Sequence, residues 1–283
     1  MRVYSNKDSD AGPILEEISK YTQQAEAMKL PYWVFVEDSN LLGIVVIGKE
    51  PLNLLAPPGT SMAIITLLDT KHSAEQIRAL ALNALELGAK NNIGYATVTL
   101  SFSEEEAIDQ FKRLGFAEFD DCYRMVRKLD TAKDEPLQLQ FVPVRKDEAR
   151  QFVRLAQRFL QGSPDVRLVE ALKHTVDLPD DFLNFRYSVE KFYFANEGQR
   201  TVGIVNFNLS KGLISNVGVD PEERGKGYGR QIMLFGLDQL RKGGCYEAYL
   251  RVHADNSPAI HLYESLGFVK AERHKTLIWR RAS

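Results

Sequence analysis

The sequence predicts an α+β (mixed α/β) protein of two tandem units, each a mostly antiparallel mixed sheet flanked by helices. Three observations carry this. The chain has 283 residues, more than the roughly 100–200 of one domain. Its two halves echo each other in order. In each half, adjacent strand-like runs joined by short turns precede a β-α-β-α-β pattern, which fits a mixed sheet better than a doubly wound parallel one.

The repeat is seen best by pairing Gly94–Phe116 with Tyr246–Phe268. Ala107, Ile108, Leu114, Gly115 and Phe116 fall on Ala259, Ile260, Leu266, Gly267 and Phe268. Glu37 and Gly43–Val45 match Glu197 and Gly203–Val205, and Lys7-Asp8 resembles Lys146-Asp147. The polar stretch Leu129–Pro136 suits a linker, so the expected domains are 1–130 and 137–283.

In the second half, Leu139–Val144 reads as a strand. Lys146–Gln161 has helical periodicity and Asp165–Thr175 a shorter helix. Phe192–Ala195 and Val202–Leu209 read as a hairpin around Asn196–Gln199, and Leu213–Val219 as a further strand. Gly227–Lys242 is a helix stopped by Gly243-Gly244. Ala248–Val252 is a strand and Pro258–Leu266 a helix with Ser257 available as N-cap. Lys275–Trp279 closes with a strand.

Composition limits the function classes. Lys+Arg 36 against Asp+Glu 38 leaves a net charge of −2, which gives no global pull toward nucleic acid or acidic lipid. A hydrophobic fraction of 44% with 26% charged residues is that of a globular chain. Cys122 and Cys245 are too few for a disulfide framework or a four-thiolate site. The first residues lack the pattern of a signal peptide, and no run approaches a membrane span. A cytoplasmic protein is expected, with no nucleic-acid or membrane partner and no metal. Its oligomeric state is not legible.

The chemistry concentrates in Ile214–Phe268. A strand containing Val217 and Val219 runs through Asp220-Pro221 into Arg224-Gly225-Lys226-Gly227-Tyr228-Gly229, which opens a helix. Glycines there can take positive φ. Successive amides at a helix start form an anion nest. Arg224, Lys226 and Arg230 add positive charge, so a diphosphate cradle is expected. By itself the loop is equally compatible with a basic solvent-facing turn. Its spacing is neither a Walker A loop nor a Gly-x-Gly-x-x-Gly turn.

Val-x-Val followed by Arg-x-x-Gly-x-Gly, then Asn256, Ala259, Leu262-Tyr263 and Leu266-Gly267-Phe268, resembles the GNAT N-acetyltransferase superfamily. The likeness is strong over Ile214–Phe268, reaches from about Leu139 to the C-terminus, and is partial in the first half. It implies a tandem GNAT enzyme that moves acetyl from acetyl-CoA to a primary amine of a small molecule or peptide, by direct attack in a ternary complex. The resemblance puts the pyrophosphate on Arg224, Gly225, Lys226, Gly227, Tyr228 and Gly229, with Arg230 just inside the helix. The pantetheine arm falls along Val217, Gly218 and Val219, with the Val217 N–H as oxyanion donor. Asn256 is a cofactor contact, and Tyr263 is the general acid toward the leaving thiolate.

The first half has Phe111 at the position of Tyr263, Glu104 at that of Asn256, and Asp69–Ala74, without glycine, at the turn. It is expected to be a degenerate copy with no cofactor turn. The general base stays open. Leu213 stands where many members carry a carboxylate, and His253 acting through water is one candidate. Glu222 and Glu223 fit better as partners of the turn. An acyl-enzyme on Cys245 fits poorly with its place in a tight turn. A non-catalytic acyl-CoA-binding sensor is the alternative function.

Overall fold

A computed structural model describes every residue except 9–17, 38–39, 51, 53–54, 69–71, 130–135, 174–177 and 283. The chain forms two compact units, Met1–Asp121 with His274–Ser283, and Cys122–Arg273.

In the first unit the strands are β1 (Arg2–Ser5), β2 (Tyr32–Glu37), β3 (Asn40–Lys49), β4 (Ser61–Leu67), β5 (Tyr95–Ser101) and the end of β12 (Val269–Arg280), in that spatial order. All neighbours are antiparallel except β4 and β5. The helices are α1 (Ser19–Ala27), α2 (Ala74–Lys90) and α3 (Glu105–Arg113). Ile77, Leu80, Ala81 and Ala84 of α2 form one apolar stripe and pack on Val45, Ile65 and Val98 of the sheet.

In the second unit the order is β6 (Ala117–Lys128), β11 (Glu247–His253), β10 (Leu213–Val219), β9 (Arg200–Asn208), β8 (Lys191–Glu197) and β7 (Gln140–Pro143). Only β10 and β11 run parallel. Helices α4 (Ala149–Phe159), α5 (Val166–Lys173) and α6 (Asp180–Val189) precede β8. Helix α7 (Tyr228–Lys242) links β10 to β11, and α8 (Ser257–Ser265) follows β11. Ile232, Met233, Leu237 and Leu240 of α7 pack on Val205, Leu250 and Ile214. Phe152, Ala156 and Phe159 of α4 pack on Phe194 and Ile204. Side chains of β9 alternate accordingly, with Val205 and Phe207 in the α7 core and Ile204 in the α4 core.

Each unit takes its last strand from the other half of the sequence. Cys122–Lys128 pairs antiparallel with β11, and His274–Arg280 with β5. Met125 lies in the second core and Leu277 in the first, both fully buried. The division at 130 and 137 follows the repeat along the chain, and the compact units cross it. Leu129, expected in a linker, is 4% exposed in the second core, and its N–H donates to the Tyr246 carbonyl at 2.9 Å. The remainder of that stretch, 130–135, lies outside the described residues, as do 69–71 of the expected first-half turn.

One local expectation is corrected, and one helix is new. The N-cap of α8 is Asn256, whose Oδ1 accepts from the Ala259 N–H at 3.3 Å, and Ser257 is already helical. Helix α6 had no sequence signal, because none of its residues is buried to give a periodic stripe.

Candidate active site

Strands β10 and β11 register at one position only, Leu213 with Tyr249. Beyond it β10 stays on β9, through Val217↔Val205, Gly218↔Ile204 and Val219↔Gly203. A bulge between Ile214 and Asn216 turns the strand away from β11. A gap therefore opens beside the C-terminal part of β10.

The amides facing that gap follow from alternation. The Asp220 N–H donates to the Val202 carbonyl on β9 at 2.9 Å. The amides of Gly218 and Asn216 therefore also face β9, and those of Val217 and Val219 face the gap. The expected oxyanion donor is thus on the open edge, whereas the Gly218 amide is directed into the sheet.

At the end of the gap, Gly225 and Gly227 have φ of +83° and +82°, and a side chain at either would meet nothing. Only the left-handed backbone demands glycine here. Gly227 is the N-cap of α7 and caps through no side chain. Among the described residues, no acceptor takes the amides of Gly225, Lys226, Gly227, Tyr228 or Gly229, while the Arg230 N–H donates to the Gly227 carbonyl at 3.1 Å. Five consecutive free N–H groups at a helix start make an anion nest.

The side chains of this turn serve mainly to fix it. Arg224 Nη2 donates to the carbonyls of Phe159 and Gln161, both at 3.0 Å, tying the turn to the C-terminal end of α4. Its guanidinium thus staples the turn to α4. Glu223 is buried and bonds Arg200 and Lys226, the latter at 2.5 Å. Lys226, then Arg200, hold that carboxyl below its usual range, and Glu223 in turn raises Lys226. The Tyr228 hydroxyl donates to Glu197, which pushes the phenol up, and its ring is in the α7 core. Arg158 reaches Asp220 at 3.0 Å and Glu222 at 3.5 Å.

Tyr263 is half-buried on α8, against the apolar cluster that includes Val217 and Val219. Its ring lies 6.0 Å from that of Phe268. Burial raises its phenol to about 12, and no described residue bonds its hydroxyl. Such a group stays protonated at neutral pH and can give a proton to a departing thiolate. The other candidates fit less well. His253 Nδ1 accepts the Asp255 N–H at 3.2 Å, which leaves a local cap rather than a poised base. Cys245 donates to the Leu209 carbonyl at 2.9 Å. Among the described residues no cluster of His, Cys, Asp or Glu has metal-site geometry, and no helix is long and apolar enough to cross a membrane.

One arrangement was not anticipated. Asn206 and Asn216 are register partners on β9 and β10, and Asn216 Nδ2 donates to Asn206 Oδ1 at 2.8 Å. Asn206 Nδ2 donates to Glu190 Oε2 at 2.5 Å, and Arg186 bonds the same oxygen at 2.7 Å. Asparagine is depleted in strands, so two of them inside strand-patterned runs were the available signal.

The comparisons with known proteins point to one family over this part of the chain. Residues 154–268 match the acetyltransferase (GNAT) family model and form a domain of that family. A stretch of 95 residues is 36% identical to a mycothiol acetyltransferase of Renibacterium salmoninarum, covering 34% of this chain and 25% of that protein. Another of 95 residues is 34% identical to the [ribosomal protein bS18]-alanine N-acetyltransferase of Escherichia coli K12, covering 29% of this chain and 64% of that protein. The chain thus spans less than two thirds of these relatives. Among solved structures, a tandem GNAT protein from the clavulanic acid biosynthesis pathway shares the fold with TM-score 0.64 and 16% identity, over 100% of this chain and 99% of that one. A GCN5-related N-acetyltransferase from Sphaerobacter thermophilus does so at 0.62 and 15%, over 89% and 82%.

Proposed function

We propose that the second unit transfers an acetyl group from acetyl-CoA to an amine, in a ternary complex. The observation that carries this reading is the open edge of β10, with the Val217 and Val219 amides facing the gap, ending at the free amides of Gly225–Gly229. A pyrophosphate suits a nest of N–H groups flanked by Lys226 and Arg230. A pantetheine amide chain suits an unpaired strand edge. Bound acetyl-CoA supplies an activated acetyl thioester.

The chain's own residues do the rest. The Val217 N–H holds the carbonyl oxygen as it gains charge. Tyr263 protonates the departing sulfur, which keeps the C–S electron pair. Water takes the surplus proton from the acceptor nitrogen and restores Tyr263. Asn256, occupied by its cap on the Oδ1 side, has Nδ2 left for the cofactor. We assign the first unit no cofactor site and a cytoplasmic setting to the chain. The acceptor is an amine of a small molecule or a protein N-terminus, the two kinds suggested by the names of the relatives.

The test is a thiol-release screen with acetyl-CoA against an alanine-starting peptide, glucosamine, cysteamine and putrescine, beside melting curves with and without acetyl-CoA. Release with one of these amines and a raised Tm are expected. A raised Tm without release would make the unit an acyl-CoA-binding sensor. No rise at all would remove the cradle.

A further inference from the structure

Resting on that reading, we infer that the side-chain oxygen of Asn216 receives the acceptor amine, and that a buried carboxylate three residues deep fixes its direction. Glu190 fixes the inner end. Helix α6 ends at Val189, and the Glu190 N–H closes the last turn on the Arg186 carbonyl at 2.9 Å. Its side chain turns inward and is 7% exposed. A carboxylate only accepts hydrogen bonds. The partner it meets, Asn206, is fully buried and must present its NH2 group. Asn206 Oδ1 then faces Asn216, which must also present NH2. Both contacts are formed, at 2.5 and 2.8 Å.

The polarity runs one way along this chain of amides. Its inner end is an ion pair between Glu190 and Arg186 at 2.7 Å. Its outer end is Asn216 Oδ1, which no described residue donates to, on a half-buried side chain. Two uncharged amides alone could flip together. The carboxylate makes the flipped state leave Asn206 Oδ1 against Glu190 Oε2, a buried repulsion without compensation.

The place of that oxygen matches an amine about to attack. Asn216 precedes Val217, whose N–H faces the gap. A Cβ built at Gly218 would lie 3.0 Å from Phe159 and from Ile204, so Gly218, and by alternation Asn216, faces α4. Val217, Val219 and Tyr263 pack on the opposite core. The chain therefore offers a hydrogen-bond acceptor on one side of the strand edge and a proton donor on the other. An amine N–H held on Asn216 Oδ1 aims its lone pair away from that oxygen. Asn216 takes no proton and breaks no bond. It orients the acceptor, and Glu190 and Asn206 are positioning residues behind it.

The test uses the full chain with whichever amine of the screen is turned over best. Asn216→Ala should raise the amine KM roughly ten-fold, the effect of one hydrogen bond to a charged or developing-charge donor. The acetyl-CoA-induced rise in Tm should stay as in the parent. Glu190→Gln keeps size and loses the enforced polarity, and Glu190→Asp keeps the polarity and shortens the arm. The inference expects Gln to raise the amine KM more than kcat falls, and Asp to restore most of it. A purely packing role predicts the reverse order, because Gln is the closer match in shape. A readout without turnover is the Tm rise that the same amine gives to the CoA-saturated protein, which should shrink in Asn216→Ala and Glu190→Gln. Unchanged amine KM in both variants overturns the inference and leaves the acetyl-transfer reading standing. A parent inert toward every amine of the screen overturns both.

Discussion

The two units build the same corner differently, and the contrast isolates what a cofactor cradle needs. In the second unit β10 and β11 share one register pair, and a bulge bends β10 away. In the first unit β4 and β5 pair at four consecutive positions, Met62↔Tyr95 through Ile65↔Val98, and β4 follows β3 for seven residues without a shift. The gap is closed there by ordinary ladder hydrogen bonds. The helix starts differ as well. Helix α7 begins at Gly227 with no side-chain cap. Helix α2 begins with a capping box, Ser73 Oγ accepting from the Gln76 N–H at 3.2 Å and Gln76 Oε1 from the Ser73 N–H at 3.0 Å. Donors left open in one copy are satisfied within the other.

The chemical positions diverge in the same direction. Phe111 is fully buried where Tyr263 is half-buried with a free hydroxyl. Glu104 accepts the Ser101 N–H at 2.6 Å where Asn256 caps α8. A cleft of about 560 Å³ in the first unit is lined by His72, Ser103, Glu104, Glu105, Glu106 and Asp109 beside the apolar Leu67, Ile77 and Ala107. Such a lining repels a polyanion. Free main-chain amides, an unpaired edge and a hydroxyl thus go together in one unit and are absent together among the described residues of the other.

The largest expected effect removes the hydroxyl difference. Tyr263→Phe should lower kcat by roughly 10²–10⁴ with acetyl-CoA affinity nearly unchanged, as read by thiol release and calorimetry. Equal kcat would remove Tyr263 from the chemistry. The variant also has a pH signature. The folded-state phenol is raised to about 12 from an ordinary value of 10.0. The stability tied to this group is therefore complete below pH 10 and is lost as pH climbs from 10 to about 12. Tyr32, Tyr95 and Tyr228 are raised too and contribute the same sign. Tyr263→Phe should make the alkaline decline of Tm shallower, not steeper.

Next in size is the nest. Gly227→Asp puts a carboxylate at the helix start on a residue with φ +82°. Acetyl-CoA affinity should fall roughly a hundred-fold, from charge repulsion and a left-handed residue costing about 1–2 kcal/mol. Gly227→Ala carries the backbone cost alone and should lose far less. If both variants bind as the parent does, the amides of this turn do not hold the cofactor.

The local corner was largely legible in sequence, and its partners were not. Leu213–Val219 was read with its exact bounds and α7 within one residue, because a β-branched run meeting a glycine-rich turn is a strong local signal. That the Arg224 guanidinium ties the turn to α4 is not legible in sequence, since its acceptors at Phe159 and Gln161 lie more than sixty residues away. The Glu190–Asn206–Asn216 chain joins residues only 16 and 10 apart, yet like the exchange of last strands it depends on which elements lie side by side. Periodicity says which face of a strand is buried and is silent about which strand lies beside it. The amides of Val217 and Val219 could be aimed only once the Asp220–Val202 hydrogen bond was known.

The exchange makes a sharper comparison than the repeat itself. Leu277 belongs by sequence to the second half and by packing to the first core, and Met125 the reverse. Leu277→Ala should cost about 2–5 kcal/mol. The loss should appear as hydrogen-exchange deprotection across β4, β5 and α2, with the acetyl-CoA-induced Tm rise retained. Met125→Ala should leave those amides protected and weaken the response to acetyl-CoA. The opposite pattern would mean that the units follow the linear halves.

The smallest effect returns to the helix starts. Ser73→Ala removes the acceptor that satisfies the Gln76 N–H and should cost about 1 kcal/mol, seen as a modest fall in Tm. It opens one donor at α2, yet it should confer no acetyl-CoA binding on the first unit, because β4 remains paired with β5 at four positions and acids still line the cleft. Acetyl-CoA bound at a second site in this variant, counted by calorimetric stoichiometry, would mean that the cap alone had silenced the first copy. One site would mean that the paired strands and the carboxylates together keep the first copy silent once the cap is gone. One freed N–H at a helix start would then not make a cradle beside a paired strand edge.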